Sequence, residues 1–235
     1  STPIKSSAAS DVYKRQDINE AIRNRHSVRS YLDKPIPNDT INEIKSEISE
    51  CNKESGLHIQ LVSEEPEAFS GFMAHYGKFS GVKNYIALIG KKSPDLDEKL
   101  GYYGERIAIK AQQLGLNTCW VAMTFSKRKS KCVVDKGEKL VCVLSLGYGQ
   151  TQGTAHKSKS IEQLCDVKGE MPEWFKKGIE CAMLAPTAMN QQKFLFSLNG
   201  NKLSAKSTGG FYSKVDLGIV MYHFEVGSGR KIFNA

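Results

Sequence analysis

The run Arg25-His26-Ser27-Val28-Arg29 sets two guanidiniums and a hydroxyl at alternate positions, just after a short predicted helix. In an extended chain alternate side chains point the same way, and such a trio suits a phosphate or a carbonyl oxygen. A solvated basic turn is the plainer alternative. Ala185-Pro186-Thr187-Ala188-Met189-Asn190-Gln191-Gln192 breaks a helix and then strings polar amides together. It can lay backbone and amide groups along the edge of a flat ligand, or it is an ordinary loop after a helix ended by proline. Gly115–Met123 leads from a helix into a strand, and a backbone N–H near Ala122 or Met123 could donate to a ring nitrogen there. The alternative is a plain core strand. In His156-Lys157-Ser158-Lys159 alternate lysines can add charge around a phosphate, or simply form a solvated loop.

Other chemistries lack their residues. No GxGxxG follows a strand, and no Walker A sequence is present. The five histidines, at 26, 58, 75, 156 and 223, show no metal-ligand spacing, so no metal is expected. Neither GxSxG nor a nucleophilic cysteine signature occurs. An enzyme built on this chain needs a borrowed cofactor. The six cysteines form no CxxC pair, and without a secretion signal they read as reduced thiols in a cytoplasmic protein.

The elements that must position these residues follow from periodicity and caps. Asp17 opens a short helix to about Asn24, and Asn38-Asp39 open a second through Ile41, Ile44 and Ile48, which share a face. Strands are expected over Leu57–Ser63, Lys83–Gly90, Leu116–Met123 and Leu140–Gly147, and a helix within Pro66–Gly77. The longest helix follows Pro94-Asp95 and ends at Gly115. The last third adds a helix over Trp174–Leu184, two strands (Lys193–Leu198 and Lys202–Ala205) turning at Asn199-Gly200, and a final helix from Ser213 to Val226. Helices and strands interleave without a regular βαβ count, which favours an α+β fold. Residues 39–63 and 172–198 both read helix, cysteine, polar loop, strand, which hints at a duplication.

The first sixteen residues look foreign to the fold, and Asp11-Val12-Tyr13-Lys14-Arg15-Gln16 resembles a translated sequencing adaptor. Without this segment the formal charge falls from +8 to about +6, because three basic residues and one acidic one are removed. That excess invites anions. It leaves a basic nucleic-acid-associated domain as a remote alternative, although no basic stripe with interleaved aromatics is present. No stretch approaches the ~20 apolar residues of a membrane span.

Taken together, these segments resemble the nitroreductase family of FMN proteins. The family's R-x-S-x-R/K string is matched by Arg25, Ser27 and Arg29, and its A-P-S-x-x-N-x-Q loop by Ala185–Gln192. Its G-L-x-T-x-W segment is matched by Gly115–Trp120, and its late K-x-R/K element by Lys157 and Lys159. The order departs from the family's, since the A-P-S loop usually follows the arginine string closely and here lies far downstream. The usual homodimer builds each FMN site from both subunits, so a single chain with one copy of each part resembles a fused pseudo-dimer. This matches the TM nitroreductase subgroup, with Asp216-Leu217-Gly218-Ile219 through His223-Phe224-Glu225 as further support.

The resemblance implies a nitroreductase-like α+β domain, with a first half over residues 17–165 and a shorter second half over residues 166–235, acting as a monomer. It implies that Arg25, Ser27, Lys157 and Lys159 hold the FMN phosphate, that His26 is a further cofactor-binding residue, and that Arg29 sits at the N1/O2 edge of the ring. Backbone at Ala122 or Met123 would donate to N5, Pro186, Thr187 and Asn190 would close the site, and Lys78 is a further ring-edge candidate. The implied activity is ping-pong: NADH or NADPH reduces the flavin, and a nitroaromatic, a quinone or a similar acceptor reoxidises it. An FMN-binding protein without turnover, for flavin storage or sensing, is the alternative.

Overall fold

The computed structural model describes residues 17–233, so the expected foreign leader lies outside the described residues. Helix α1 (Ile18–Asn24) buries Ala21 and Ile22 and ends where Arg25 turns extended, at φ −70° and ψ 117°. The chain then runs beside strand β3 (Asn117–Val121), where the Val28 amide donates to the Thr118 carbonyl at 3.1 Å. Helix α2 (Asn38–Ser55) buries Ile44, Ile48 and Cys51 and stops at Gly56, whose left-handed φ of 71° suits a residue without a Cβ.

Strands β1 (Gln60–Val62), β2 (Asn84–Lys91), β3 and β4 (Glu138–Gly147) form an antiparallel sheet in the order β1-β2-β4-β3. Alternation along β2 feeds two cores. Ile86 and Leu88 face the large core shared with helix α4 (Leu96–Gln113). Tyr85, Ala87 and Ile89 face a smaller one closed by Phe69, Phe79 and Phe125. The expected strand over Leu57–Ser63 is only three residues long. The expected helix within Pro66–Gly77 is a 3-10 turn, Glu67–Phe69, followed by helix α3 (Phe72–Tyr76).

The last third adds helix α5 (Ile161–Leu164), strand β5 (Cys165–Lys168), helix α6 (Glu173–Ala182), strands β6 (Phe194–Asn199) and β7 (Lys202–Ser207), and helix α7 (Ser213–Ser228). Strand β6 is central, parallel to β5 and antiparallel to β7. The hairpin turns at Gly200 and Asn201, one residue later than the Asn-Gly pair suggested.

Helix α7 is apolar almost all round because it is covered almost all round, and it packs against both α4 and α6. Two glycines set the α4–α7 approach. A Cβ on Gly218 would strike the Glu98 carbonyl and the Tyr102 amide, and one on Gly101 would strike the Val215 carbonyl. On the α6 side the Phe196 and Phe224 rings stack with centroids 4.5 Å apart. Among the described residues no helix is long and apolar enough to cross a membrane, and all six cysteines are free.

Candidate active site

A cleft of about 370 Å³ opens where the 25–29 segment, the end of β3, the 186–189 loop and the start of α7 meet. It is large enough for a small organic ligand. Of the residues expected from the sequence, Ser27, Arg29, Ala122, Met123, Pro186 and Thr187 line it together. The β3–β4 ladder ends at the Val121–Val143 pair, so Ala122 and Met123 border the cleft beyond the last strand pairing. Arg29 lies over the Phe79 ring, 5.9 Å from its centroid, which holds the guanidinium at the edge without neutralising it.

Arg25 and His26 do not line this cleft. They border a small hollow beside it, together with His156 and Leu184. The same two chain segments, 25–29 and 184–189, therefore wall both the cleft and the hollow. The alternation expected along the string is broken at its start, because Arg25 is the C-terminal cap of α1 and turns inward. It is 3% exposed, and its Nε and Nη1 are buried with no hydrogen-bond partner. Burial, and then the positive charge of Arg25 and His156, hold the His26 ring below its ordinary pKa.

Lys157 and Lys159 border neither space. The Lys159 ammonium donates to the Gln191 and Gln192 carbonyls at 3.0 and 2.9 Å. Lys157 is exposed, and its carbonyl accepts from the side-chain amides of Asn190 and Gln192 at 2.9 and 3.0 Å. These two loops, distant in sequence, brace each other, and Asn190 serves that brace. Lys78 is exposed and lies outside the cleft, although Tyr76, two residues earlier, lines it.

Several lining residues carried no role in the sequence. Asp216, on the first turn of α7, is buried and accepts from the Ala188 amide at 2.9 Å and the Gln191 side chain at 2.7 Å. Burial pushes its pKa up to about 6 against the opposing effect of these bonds. Tyr76, Met189 and Phe211 join the expected Met123 in an exposed apolar collar, with Met189 84% exposed at its loop tip. Trp120 lines the cleft and donates its indole N–H inward to Glu105 at 2.8 Å. The available signal for Asp216, Glu105 and His223 was a charged or polar residue on an otherwise apolar helix face.

No metal site was expected from the sequence, and one cluster bears on that expectation. Histidine spacing in sequence pointed to no ligand group, yet the fold brings His58, Asp135 and Glu138 within 4.8 Å of one another. Hydrogen bonding argues against an ion. The Gln60 side-chain Oε1 accepts from the Val133 amide, which turns the side-chain NH2 toward His58 Nε2 at 3.1 Å. The ring proton therefore sits on Nδ1, donating to Glu138 at 2.9 Å, and no lone pair is left there for a metal.

The cleft thus offers mostly apolar walls and a cation at one edge, which suits a flat ligand, and the same two segments also wall a smaller hollow lined by Arg25, His26 and His156. A family model described as "Putative TM nitroreductase" matches residues 17–228. The chain belongs to this family. A crystal structure of a "putative nitroreductase" from Thermotoga maritima is 24% identical, with a TM-score of 0.64 over 91% of this chain and 84% of that one. A second "putative nitroreductase", from Desulfovibrio desulfuricans and solved in complex with FMN, is 15% identical. Its TM-score is 0.52, over 67% of this chain and 99% of that one. At these identities the likeness establishes the nitroreductase-like α+β fold. No curated protein sequence matches the chain. Membership of the family points to an oxidoreductase.

Proposed function

We propose that this protein binds one FMN across the cleft and hollow, and uses it to pass electrons from NADH or NADPH to a nitroaromatic, quinone or similar acceptor. The observation that carries this is Arg25, a buried cation with two unpartnered N–H groups beside a ligand-sized apolar cleft. Its one anionic neighbour, the Glu105 carboxylate, comes only to 3.4 Å without a hydrogen bond, so a second anion is favourable there, and a phosphate is a natural partner. The residues present fit the cofactor. Arg25 and His26 would hold the phosphate, with His156 near. Ser27 and Arg29 would meet the polar edge of the ring, and Pro186 and Thr187 would cover it.

When bound, FMN supplies reversible hydride acceptance, which no side chain of the chain can provide. The protein's own part is orientation and electrostatics. Arg29 places positive charge at the ring edge, where charge accumulates on reduction. The amides at Ala122 and Met123 lie past the strand ladder, free to donate. The apolar collar of Tyr76, Met123, Met189 and Phe211 limits water at the mouth and suits a flat acceptor. The pseudo-dimer reading is supported by the way segments 25–29 and 184–189, from opposite parts of the chain, wall one site.

Flavin absorbance and fluorescence during titration with FMN test this reading, followed by addition of NADH or NADPH and a quinone. Saturable binding with bleaching by a nicotinamide and recovery with the quinone is expected. Binding without bleaching by either nicotinamide would replace turnover by flavin storage, and no binding would overturn the flavin assignment.

A further inference from the structure

Behind the cleft, helices α4 and α7 enclose a charged group that no ligand contact yet explains. Glu105 and His223 are both fully buried, at 0% exposure. The Glu105 carboxylate accepts from His223 Nε2 at 2.9 Å and from the Trp120 indole at 2.8 Å. Arg25 approaches the same carboxylate through Nε only to 3.4 Å, an ion pair without a hydrogen bond. The two strong bonds to Glu105 therefore come from His223 and Trp120, and Arg25 is left with the weaker share.

The protonation of His223 follows from its neighbours. Its Nε2 faces the Glu105 carboxylate and its Nδ1 faces the Cys181 carbonyl on α6 at 3.2 Å. Both are acceptors, and a neutral imidazole can donate to only one of them. Arg25 after α1 and the Trp120 indole from β3 approach the same Glu105 carboxylate, and Tyr222 on α7 lies beside the His223 ring. Burial by itself would lower the pKa of the ring, and the bonds to Cys181 and Glu105 outweigh it and raise it. Two buried cations then share one buried carboxylate, which leaves the group one positive charge in excess.

We propose that His223 and Glu105 are positioning residues for the anion-binding Arg25. Glu105 aims the guanidinium, and the protonated His223 ring occupies the carboxylate so that Arg25 is oriented but not neutralised. Its remaining positive charge then acts on a ligand phosphate at the hollow that Arg25 lines. Trp120 joins the same carboxylate to the floor of the cleft, so the two parts of the site are held by one buried group. This rests on the FMN reading above, and it assigns the phosphate arm specifically.

The test compares FMN with riboflavin, which has the same ring and no phosphate, in the parent and in His223→Gln. Glutamine keeps a donor for Glu105 and removes the positive charge, so Glu105 can pair fully with Arg25. FMN affinity is expected to fall by about tenfold or more, the worth of a charge-assisted hydrogen bond, with riboflavin affinity unchanged. An unchanged FMN-to-riboflavin ratio would overturn the proposal while leaving FMN binding intact. A parent that binds neither flavin would remove the FMN reading itself. Nitrogen-15 NMR of the histidine side chains in the parent decides the matter if the variant does not fold. One imidazole doubly protonated at neutral pH supports the proposal, and its absence overturns it.

Discussion

Replacing Asp216 by asparagine probes how the wall of the cleft is held. The carboxyl is buried, and its oxygens accept from the Ala188 amide and the Gln191 side chain. Burial moves its pKa from the ordinary 3.8 to about 6 in the folded protein. The folded state therefore binds this proton more tightly than the unfolded chain does. The charged carboxylate lowers stability by its full amount above about pH 6, and this penalty is relieved as the pH falls from there toward the unfolded value. A gap of about two units at ~1.4 kcal/mol each is about 3 kcal/mol. Asparagine cannot ionise, and it keeps a carbonyl oxygen for the Ala188 amide. Urea unfolding of parent and variant at about pH 8 and about pH 4 measures the effect. The variant's stability relative to the parent should be higher at the alkaline pH by up to about 3 kcal/mol. A stability difference equal at the two pH values would refute burial of a charged Asp216.

Gly218→Ala should lower unfolding stability by at least about 1–3 kcal/mol in the same assay, because the new methyl meets the backbone of α4, which cannot rotate away. Trp120→Phe keeps most of the ring but leaves a buried Glu105 oxygen without its donor, at a cost of about 1–3 kcal/mol by denaturation. Arg25→Ala removes the proposed phosphate partner and should weaken FMN binding by about 1–3 kcal/mol in a fluorescence titration, with equal affinity counting against the assignment. Arg106 on α4 meets Glu47, Glu50 and Glu54 of α2, so Arg106→Ala should lose about 1 kcal/mol, and less at high salt.

Local signals explain what was legible. Helix α4 begins and ends where its Asp95 and Gly115 foretold, and α2 buries the isoleucine face that the sequence spacing marked. The string at 25–29 and the loop at 185–192 were legible as chemistry because each carries several polar groups in a short span. Strand β5 was not, since a four-residue segment with alternating exposure owes its place to parallel pairing with β6 some thirty residues later. The hollow was also hidden, because Arg25 turns inward to Glu105, a partner eighty positions away. A lone glutamate or histidine in a helix says nothing of its partner until the helices cross. The same holds for His58, Asp135 and Glu138, which sequence spacing kept apart and the sheet edge brings together.

The glycine contact between α4 and α7 has a consequence for how this chain can diverge. Every missense change in a glycine codon adds at least a Cβ, and at positions 101 and 218 that carbon meets main chain rather than a side chain that could shrink in response. A second mutation elsewhere in either helix cannot make room, because the opposing backbone is common to all residues. These two positions are therefore closed to gradual drift, while the collar residues at the mouth of the cleft, exposed and free of such contacts, remain open to it. Descendants of this protein can change what they admit to the cleft far more readily than they can change the crossing that holds Asp216 and His223 in place.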